Sequence, residues 1–175
     1  MASDRELIQI VDHALAEAAR NCGSWLACRP GCDQCCHGPF EITQLDAQRL
    51  RQGLADLEAA DPARAARVRQ RVQAVASLSD VEDDDPCPAL DPQSGTCDLY
   101  ASRPMTCRTF GPPVRCESGE IGVCELCFVG ASDDLIAACV VDFDPGDLES
   151  TLLEELAHST GQCEMTTVAR CLALR

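Results

Sequence analysis

The first part of the chain shows apolar residues at a helical period. Ser3 followed by Glu6 forms a capping-box start, and behind it an apolar stripe recurs at helical spacing: Leu7, Ile8, Val11, Ala14, Leu15 and Ala18. We expect this helix to end near Arg20, with Gly23 available to terminate it. The pattern therefore predicts an amphipathic helix ahead of the cysteine-rich segment at 28–36.

Two further helices are predicted in the middle of the sequence. Thr43 opens the second, whose apolar face carries Leu45, Leu50, Leu54 and Leu57. Asp61 and Pro62 provide a cap and a first-turn proline for the third, which Val68, Val72 and Val75 continue to about Leu78. The acidic run at 80–86 then ends this helix, and we interpret it as a solvated loop.

The second half of the chain begins with a long irregular stretch. Residues 87–127 are interrupted by prolines and glycines, which predicts loops. The apolar run at 135–143 is compatible with a helix end or a strand, and 144–146 predicts a turn. Residues 147–160 have the pattern of an amphipathic helix stopped by Gly161, and 165–175 predict a terminal helix.

These elements together define the expected fold. The fold class is mainly α: a small helical bundle with two cysteine-rich loops stapled by metal. We expect a single domain over 1–175, with a metal-binding core at about 28–127 and a C-terminal helical part at about 147–175. Aromatic residues make up only 3% of the chain, so the core is thin. Ordering each loop residue costs roughly 1–2 kcal/mol, and bound metal would offset that cost.

Charge and the lack of an apolar span limit the function. The net charge is −15 and every basic residue is Arg, which argues against a nucleic-acid surface because phosphate binding needs clustered positive charge. No apolar segment approaches the roughly 20 residues of a membrane span, and the N-terminal sequence does not have the pattern of a signal peptide. We therefore expect a cytoplasmic protein, in which thiols stay reduced and the fourteen cysteines serve metal rather than disulfides.

The cysteines fall into two loop sets. Four of them lie within nine positions in the pattern C-x-x-x-C-x-x-C-C, and six follow between 87 and 127, ending in the C-x-x-C pair of "CELC". Short spacings of this kind bring several sulfurs to one metal ion. The candidate metal ligands are Cys28, Cys32, Cys35, Cys36, Cys87, Cys97, Cys107, Cys116, Cys124 and Cys127. Zinc, iron and an iron–sulfur cluster remain open at this point, because four thiolates leave a similar net charge on each.

The motifs "CRPGCDQCCHG", "CPAL", "GTCDLY" and "SRPMTCRTFGPP" occur in that order. In this the chain resembles the YkgJ-like cysteine-cluster family, whose domain is described as zinc- or iron-chelating. The resemblance covers about Cys28 to Phe110, and it implies metal binding by seven residues: Cys28, Cys32, Cys35, Cys36, Cys87, Cys97 and Cys107. A related cysteine cluster occurs in flagellin lysine methylases, which resemble iron–sulfur proteins. This favours iron over zinc.

Several residues near the motifs have two interpretations. Arg103 and Arg108 flank Cys107, and the family motif contains both; they either donate hydrogen bonds to metal-bound sulfur or form ordinary ion pairs with acidic residues. His37 follows the cysteine pair and is either a further ligand or a loop residue. The remaining cysteines fit metal binding less well and are expected to act as small apolar residues or free thiols: Cys22, Cys139, Cys163 and Cys171.

Function is predicted only as a class. The leading hypothesis is a binding protein that holds an iron–sulfur cluster, such as 4Fe–4S, or iron; the alternatives are a structural zinc protein and a redox enzyme that uses the cluster. A thioredoxin-like site lacks its strand–loop–helix context, and a zinc deaminase lacks its H-x-E and P-C-x-x-C pair. We expect no nucleic-acid or membrane partner, and the sequence indicates no substrate or protein partner.

Overall fold

The computed structural model of the chain describes residues 3–76, 85–116 and 118–173. The described residues are mainly helical, which confirms the expected fold class. The helices are α1 Asp4–Cys22, α2 Gln44–Ala60, α3 Pro62–Ala76, α4 Met105–Thr109, α5 Asp133–Ala138, α6 Leu148–Thr160 and α7 Val168–Ala173. No helix in these ranges is both long enough and apolar enough to cross a membrane.

The strands are short and antiparallel. They form three two-stranded ladders, namely β1 Glu41–Ile42 with β6 Thr166–Thr167, β2 Leu90–Asp91 with β3 Thr96–Cys97, and β4 Val114–Arg115 with β5 Ile121–Gly122. Each ladder ties two loop segments together rather than forming a layer of the core. The last two lie inside the stretch predicted as loops, between residues 87 and 127.

The helix ends follow the local signals in the sequence. The Ser3 hydroxyl accepts a hydrogen bond from the Glu6 N–H at 3.3 Å, and the Thr43 hydroxyl accepts one from the Asp46 N–H at 3.2 Å. Gly23 terminates α1 with a φ of 53°, so the helix continues to Cys22 rather than ending near Arg20. The expected end of α3 near Leu78 and residues 80–84 of the acidic run lie outside the described residues.

Two C-terminal elements refine the prediction. The run at 135–143 begins as helix rather than strand, because the Ser132 hydroxyl caps α5 by accepting from the Leu135 N–H at 3.3 Å. The terminal helix begins only at Val168, since Thr166 and Thr167 pair with β1. The turn predicted at 144–146 precedes α6 as expected.

The described residues form two compact units, each made of two chain segments. The bundle unit comprises Pro30–Cys107 and the chain from Leu153 onward; the α1 unit comprises the chain up to Arg29 and Arg108–Leu152. In the bundle unit, α2, α3 and α7 pack on one another. They enclose a core of small and medium apolar side chains: Ile42, Ala47, Leu50, Leu54, Ala65, Val68, Val72, Ala89, Leu99, Val168, Cys171 and Leu172.

The α1 unit is held together by contacts between its two segments. The Trp25 and Phe128 rings stack with centroids 6.2 Å apart, and the Phe128 N–H donates to the Trp25 carbonyl at 2.9 Å. Nη1 of the buried Arg108 donates to the Asp12 carboxylate on α1 at 2.7 Å. These contacts fix the loop around the "CELC" pair against the end of α1. The expectation of a single domain stays a prediction.

Candidate metal centre

In the bundle unit, backbone pairing joins the first cysteine loop to the second. The Cys87 N–H donates to the Cys36 carbonyl at 2.7 Å, and the Gly38 N–H donates to the Asp85 carbonyl at 2.9 Å. His37 and Pro86 form an antiparallel bridge between these bonds. The pairing places the adjacent cysteines Cys35 and Cys36 beside the segment that carries Cys87.

Cys97 is positioned by the β2–β3 hairpin, in which it pairs with Leu90. The buried Asp98 follows it and accepts hydrogen bonds from Arg64 and Arg71 of α3. The Arg71 Nε also donates to the Pro88 carbonyl at 2.8 Å. The hairpin is thereby fixed against α3, and Cys97 packs against the helical core together with Cys87.

Cys107 lies on the short helix α4. The Asp46 carboxylate accepts the Met105 N–H at 2.9 Å at the start of that helix, and it also pairs with Arg49. Asp46 is 1% exposed, and burial raises the pKa of its carboxyl, although Arg49 and the Met105 N–H oppose this effect. One buried carboxylate on α2 thus anchors the helix that carries Cys107.

These contacts bring five thiols close enough for their charges to interact, and we call them the bundle cluster: Cys35, Cys36, Cys87, Cys97 and Cys107. The hydrogen bond from Cys36 lowers the pKa of Cys35 to about 7, against the effect of burial, and the positive charge of Arg103 adds to the lowering. Donating that bond raises the pKa of Cys36.

The other three thiols of the bundle cluster favour the neutral state. Burial is the main cause that raises the pKa of Cys97, to about 11, and neighbouring thiols act in the same direction. Burial likewise raises the pKa of Cys87 and of Cys107. A bound cation would reverse this preference, because a metal ion stabilises the thiolates that ligate it.

The α1 unit has its own group of thiols, which we call the α1 cluster: Cys22, Cys124, Cys127 and Cys139. Burial raises the pKa of Cys22 to about 11, and the nearby thiols Cys139 and Cys127 act in the same direction. The Ala27 N–H donates to Cys127 Sγ at 3.4 Å. Two of the four, Cys22 and Cys139, are residues that the sequence analysis set apart from the metal ligands.

The other predicted cysteine ligands lie outside these two clusters. Cys28 is exposed, beside Gly111, where an added Cβ would lie 2.7 Å from its Sγ. Cys32 is half-buried in the bundle unit. Cys116 is exposed at the end of β4, and its N–H donates to the Glu120 carbonyl at 2.8 Å. Their role as ligands stays a prediction.

The two flanking arginines differ in their surroundings. Arg103 is near enough to Cys35 to lower its pKa, and its guanidinium lies 4.0 Å from the centre of the Tyr100 ring. Arg108 forms the ion pair with Asp12 described above. His37 Nε2 lies 3.5 Å from the Asp33 carboxylate. The role of Arg103 and Arg108 beside metal-bound sulfur stays a prediction.

Several residues whose role depends on distant contacts were not predicted from the sequence. Asp46 and Asp98 are charged residues that were not singled out, although Asp46 follows the cap Thr43 at capping-box spacing. The burial of Cys22 was visible in the spacing, because it continues the apolar face of Leu7, Val11 and Ala18 along α1. Its partner Cys139 could not be identified from any local signal.

The donor set suits a soft or borderline metal ion. Thiolates are ligands for zinc, iron and iron–sulfur clusters, and hard cations prefer oxygen ligands. Among the described residues, no three His, Cys, Asp or Glu side chains already have the arrangement of a metal-bound group. The fit therefore rests on the donor chemistry, on the shared location of the thiols and on the ability of a bound cation to stabilise them as thiolates.

Comparison with known proteins gives one match. No curated protein and no solved structure matches the chain. A family model named CxxCxxCC, described as a "Putative zinc- or iron-chelating domain", matches residues 27–127. The match spans more than half of the chain and includes all five thiols of the bundle cluster, which makes metal chelation the general function. The chain belongs to this family of zinc- or iron-chelating domains.

Proposed function

We propose that the protein is a cytoplasmic iron-binding protein that holds an iron–sulfur cluster, such as 4Fe–4S, or thiolate-bound iron in its bundle unit. The observation that carries the proposal is the bundle cluster itself. Its five thiols come from separate parts of the chain, and backbone pairing, a hairpin and a capped helix bring them together. They are five of the seven cysteines that the family motif contains.

Iron is favoured by the motif. A structural zinc site and a 4Fe–4S cluster both take four ligands, so the five thiols of the bundle cluster, with Cys32 in the same unit, are enough for either. The resemblance of the motif to the cysteine cluster of flagellin lysine methylases points in the same direction. We propose that the remaining predicted ligands, Cys28, Cys116, Cys124 and Cys127, belong to metal sites as well.

The chain's own residues define what such a site does. An iron–sulfur cluster, when bound, supplies one-electron chemistry. Arg103 offsets part of the negative charge of the thiolates, and it is held in place by Nη1, which donates to the Tyr100 carbonyl at 3.0 Å. The apolar core beside Cys87 and Cys97 limits the access of water to the sulfurs.

Zinc is the second candidate, and burial favours it. Most thiols of the bundle cluster are partly or largely shielded from solvent, as in closed zinc sites that stabilise a fold. The thin apolar core of the chain gives such a metal a structural role. In that case the cysteines hold the loops together, and the protein has no electron-transfer function.

Analysis of the native metal tests the proposal. The protein is purified without oxygen, its visible spectrum is recorded, and iron, acid-labile sulfide and zinc are measured per chain. We expect a brown protein with matched iron and sulfide and a broad band at about 400 nm, as thiolate-ligated clusters show; iron without sulfide would support thiolate-bound iron. A colourless protein with stoichiometric zinc would select the second candidate, and a folded protein that binds neither metal would contradict both.

A further inference from the structure

The four cysteines of the α1 cluster lie in one apolar cluster, separate from the motif cysteines of the bundle unit. We propose that Cys22, Cys124, Cys127 and Cys139 form a second metal site, a closed four-thiolate site for a divalent ion of the zinc type. Cys22 and Cys139 lie outside the matched family region at 27–127. The inference does not depend on iron in the bundle cluster.

The thiols of the α1 cluster are concentrated in one apolar environment. Cys22, Cys124 and Cys127 are 3%, 7% and 4% exposed, and Cys139 packs against them. The surrounding side chains are apolar: Leu26, Phe110, Val123, Phe128 and Ile136. A single buried cysteine is explained as a small apolar residue, but four in one small cluster match the ligand number of a tetrahedral thiolate site.

The chain forms a tight turn at the "CELC" pair. The Cys127 N–H donates to the Cys124 carbonyl at 2.8 Å, which closes the turn between the two cysteines. C-x-x-C turns are a common source of two ligands to one zinc ion. The Ala27 N–H donates to Cys127 Sγ at 3.4 Å, and such hydrogen bonds stabilise metal-bound sulfur.

The other two cysteines come from distant parts of the chain and lie in the same cluster. Cys22 is the last residue of α1 and Cys139 follows α5, and Cys139 packs against the buried group that contains Cys22. The Trp25–Phe128 stack and the bond from the Phe128 N–H to the Trp25 carbonyl hold the "CELC" turn beside the end of α1. Both pairs of cysteines are thus anchored in one unit.

Metal binding at this site exchanges protons for a metal ion and needs no redox step. Each of the four thiols gives its proton to solvent and forms one bond to the ion through sulfur. Binding therefore releases up to four protons and leaves a complex with a net charge of about −2. Proton release distinguishes ligation by buried, neutral thiols from loose binding of a cation to surface carboxylates, which are already ionised near neutral pH.

The test uses Co²⁺ on full-length, reduced, metal-free protein, because tetrahedral cobalt–thiolate centres absorb strongly in the visible range. The bundle cluster is first disabled by Cys35→Ser, Cys97→Ser and Cys107→Ser. We expect this triple variant to bind one equivalent of Co²⁺ with the thiolate spectrum and release of protons. Adding Cys22→Ala and Cys139→Ser should abolish that equivalent; a spectrum that persists unchanged would overturn the proposal, as would a folded triple variant without the spectrum.

Two further variants keep the test decisive if the triple variant does not fold. In the otherwise native chain, Cys22→Ala with Cys139→Ser should bind one equivalent of Co²⁺ less than the native protein, whereas Cys163→Ser, which removes an exposed thiol, should bind the same amount. Circular dichroism confirms that each variant is folded. Equal stoichiometry in all three proteins would contradict the second site. A native protein that binds metal at the α1 cluster but none at the bundle cluster would contradict only the proposed function.

Discussion

Cys35 differs from the other thiols of the bundle cluster because its pKa is lowered rather than raised. The main cause is the hydrogen bond that Cys36 donates to it, and the charge of Arg103 adds to the effect. A pKa of about 7 leaves a large fraction of Cys35 as thiolate at neutral pH. In the metal-free protein it should therefore be the thiol of the cluster that reacts first with electrophiles and first engages a metal ion.

The first prediction concerns this thiolate. Cys36→Ala should slow the alkylation of Cys35 at pH 7 by about tenfold, because it removes the donor that stabilises the thiolate. Arg103→Gln should slow it less. The measurement is the iodoacetamide rate at Cys35 in metal-free protein, followed by mass spectrometry. Arg115→Gln, which changes an exposed arginine of the α1 unit, is the control, and an equal slowing in that variant would rule out this explanation.

The raised pKa of Cys97 gives a second prediction at the residue scale. Its pKa is 9.0 in the unfolded chain and about 11 in the folded protein, so the folded state binds more protons between these values. The free energy of unfolding of the metal-free protein should therefore fall as the pH rises from 9 towards 11, with Cys97 contributing on the order of 2 kcal/mol. Urea denaturation under reducing conditions measures it. Cys97→Ala should show a shallower decline, and an unchanged slope would contradict the pKa assignment.

At the scale of elements, α2 contains a feature that its sequence does not reveal. Glycine lowers helix stability relative to alanine, yet Gly53 lies inside this helix. A Cβ at Gly53 would lie 2.2 Å from Ser102 Oγ and 2.5 Å from Ser102 Cβ. The close approach holds the turn at 100–102, just ahead of the helix that carries Cys107, against α2.

The prediction is that Gly53→Ala destabilises the protein despite the better helix propensity of alanine. We expect a loss of about 1–3 kcal/mol in the free energy of unfolding, the range typical of overpacking. Urea denaturation measures the loss. Combining the change with Ser102→Gly should recover much of it, because the colliding side chain is then absent. A Gly53→Ala variant as stable as the native protein would show that α2 and the turn can separate at little cost.

The helices could be predicted because their signals are local. Ser3 and Thr43 cap helices within three residues of themselves, and the apolar spacing behind each cap is visible in the sequence. The pairing of β1 with β6 and the meeting of Cys22 with Cys139 join distant parts of the chain. No local pattern specifies such contacts, so the sequence indicated thiol ligation without indicating the second thiol cluster.

At the scale of the whole molecule, each compact unit contains its own group of cysteines. The motif cysteines Cys35, Cys36, Cys87, Cys97 and Cys107 meet beside a three-helix core, and the α1 cluster forms around the "CELC" turn. The sequence divided the ten candidate ligands into two sets by their position along the chain. The structure groups cysteines by compact unit instead, and we propose that the two groups bind metal independently, which is consistent with an apolar core too thin to order such long loops by itself.

The measurement that tests this account most directly is the metal content of two cysteine variants purified without oxygen. Cys107→Ser removes a thiol of the bundle cluster, whereas Cys171→Ser alters a buried cysteine of the same unit, whose Sγ donates to the Ala47 carbonyl at 3.2 Å, a bond that serine can also make. We predict that Cys107→Ser loses the metal of the bundle unit and much of its stability, and that Cys171→Ser retains the native metal content. Equal metal content in both variants would contradict the assignment of the bundle cluster as the metal centre.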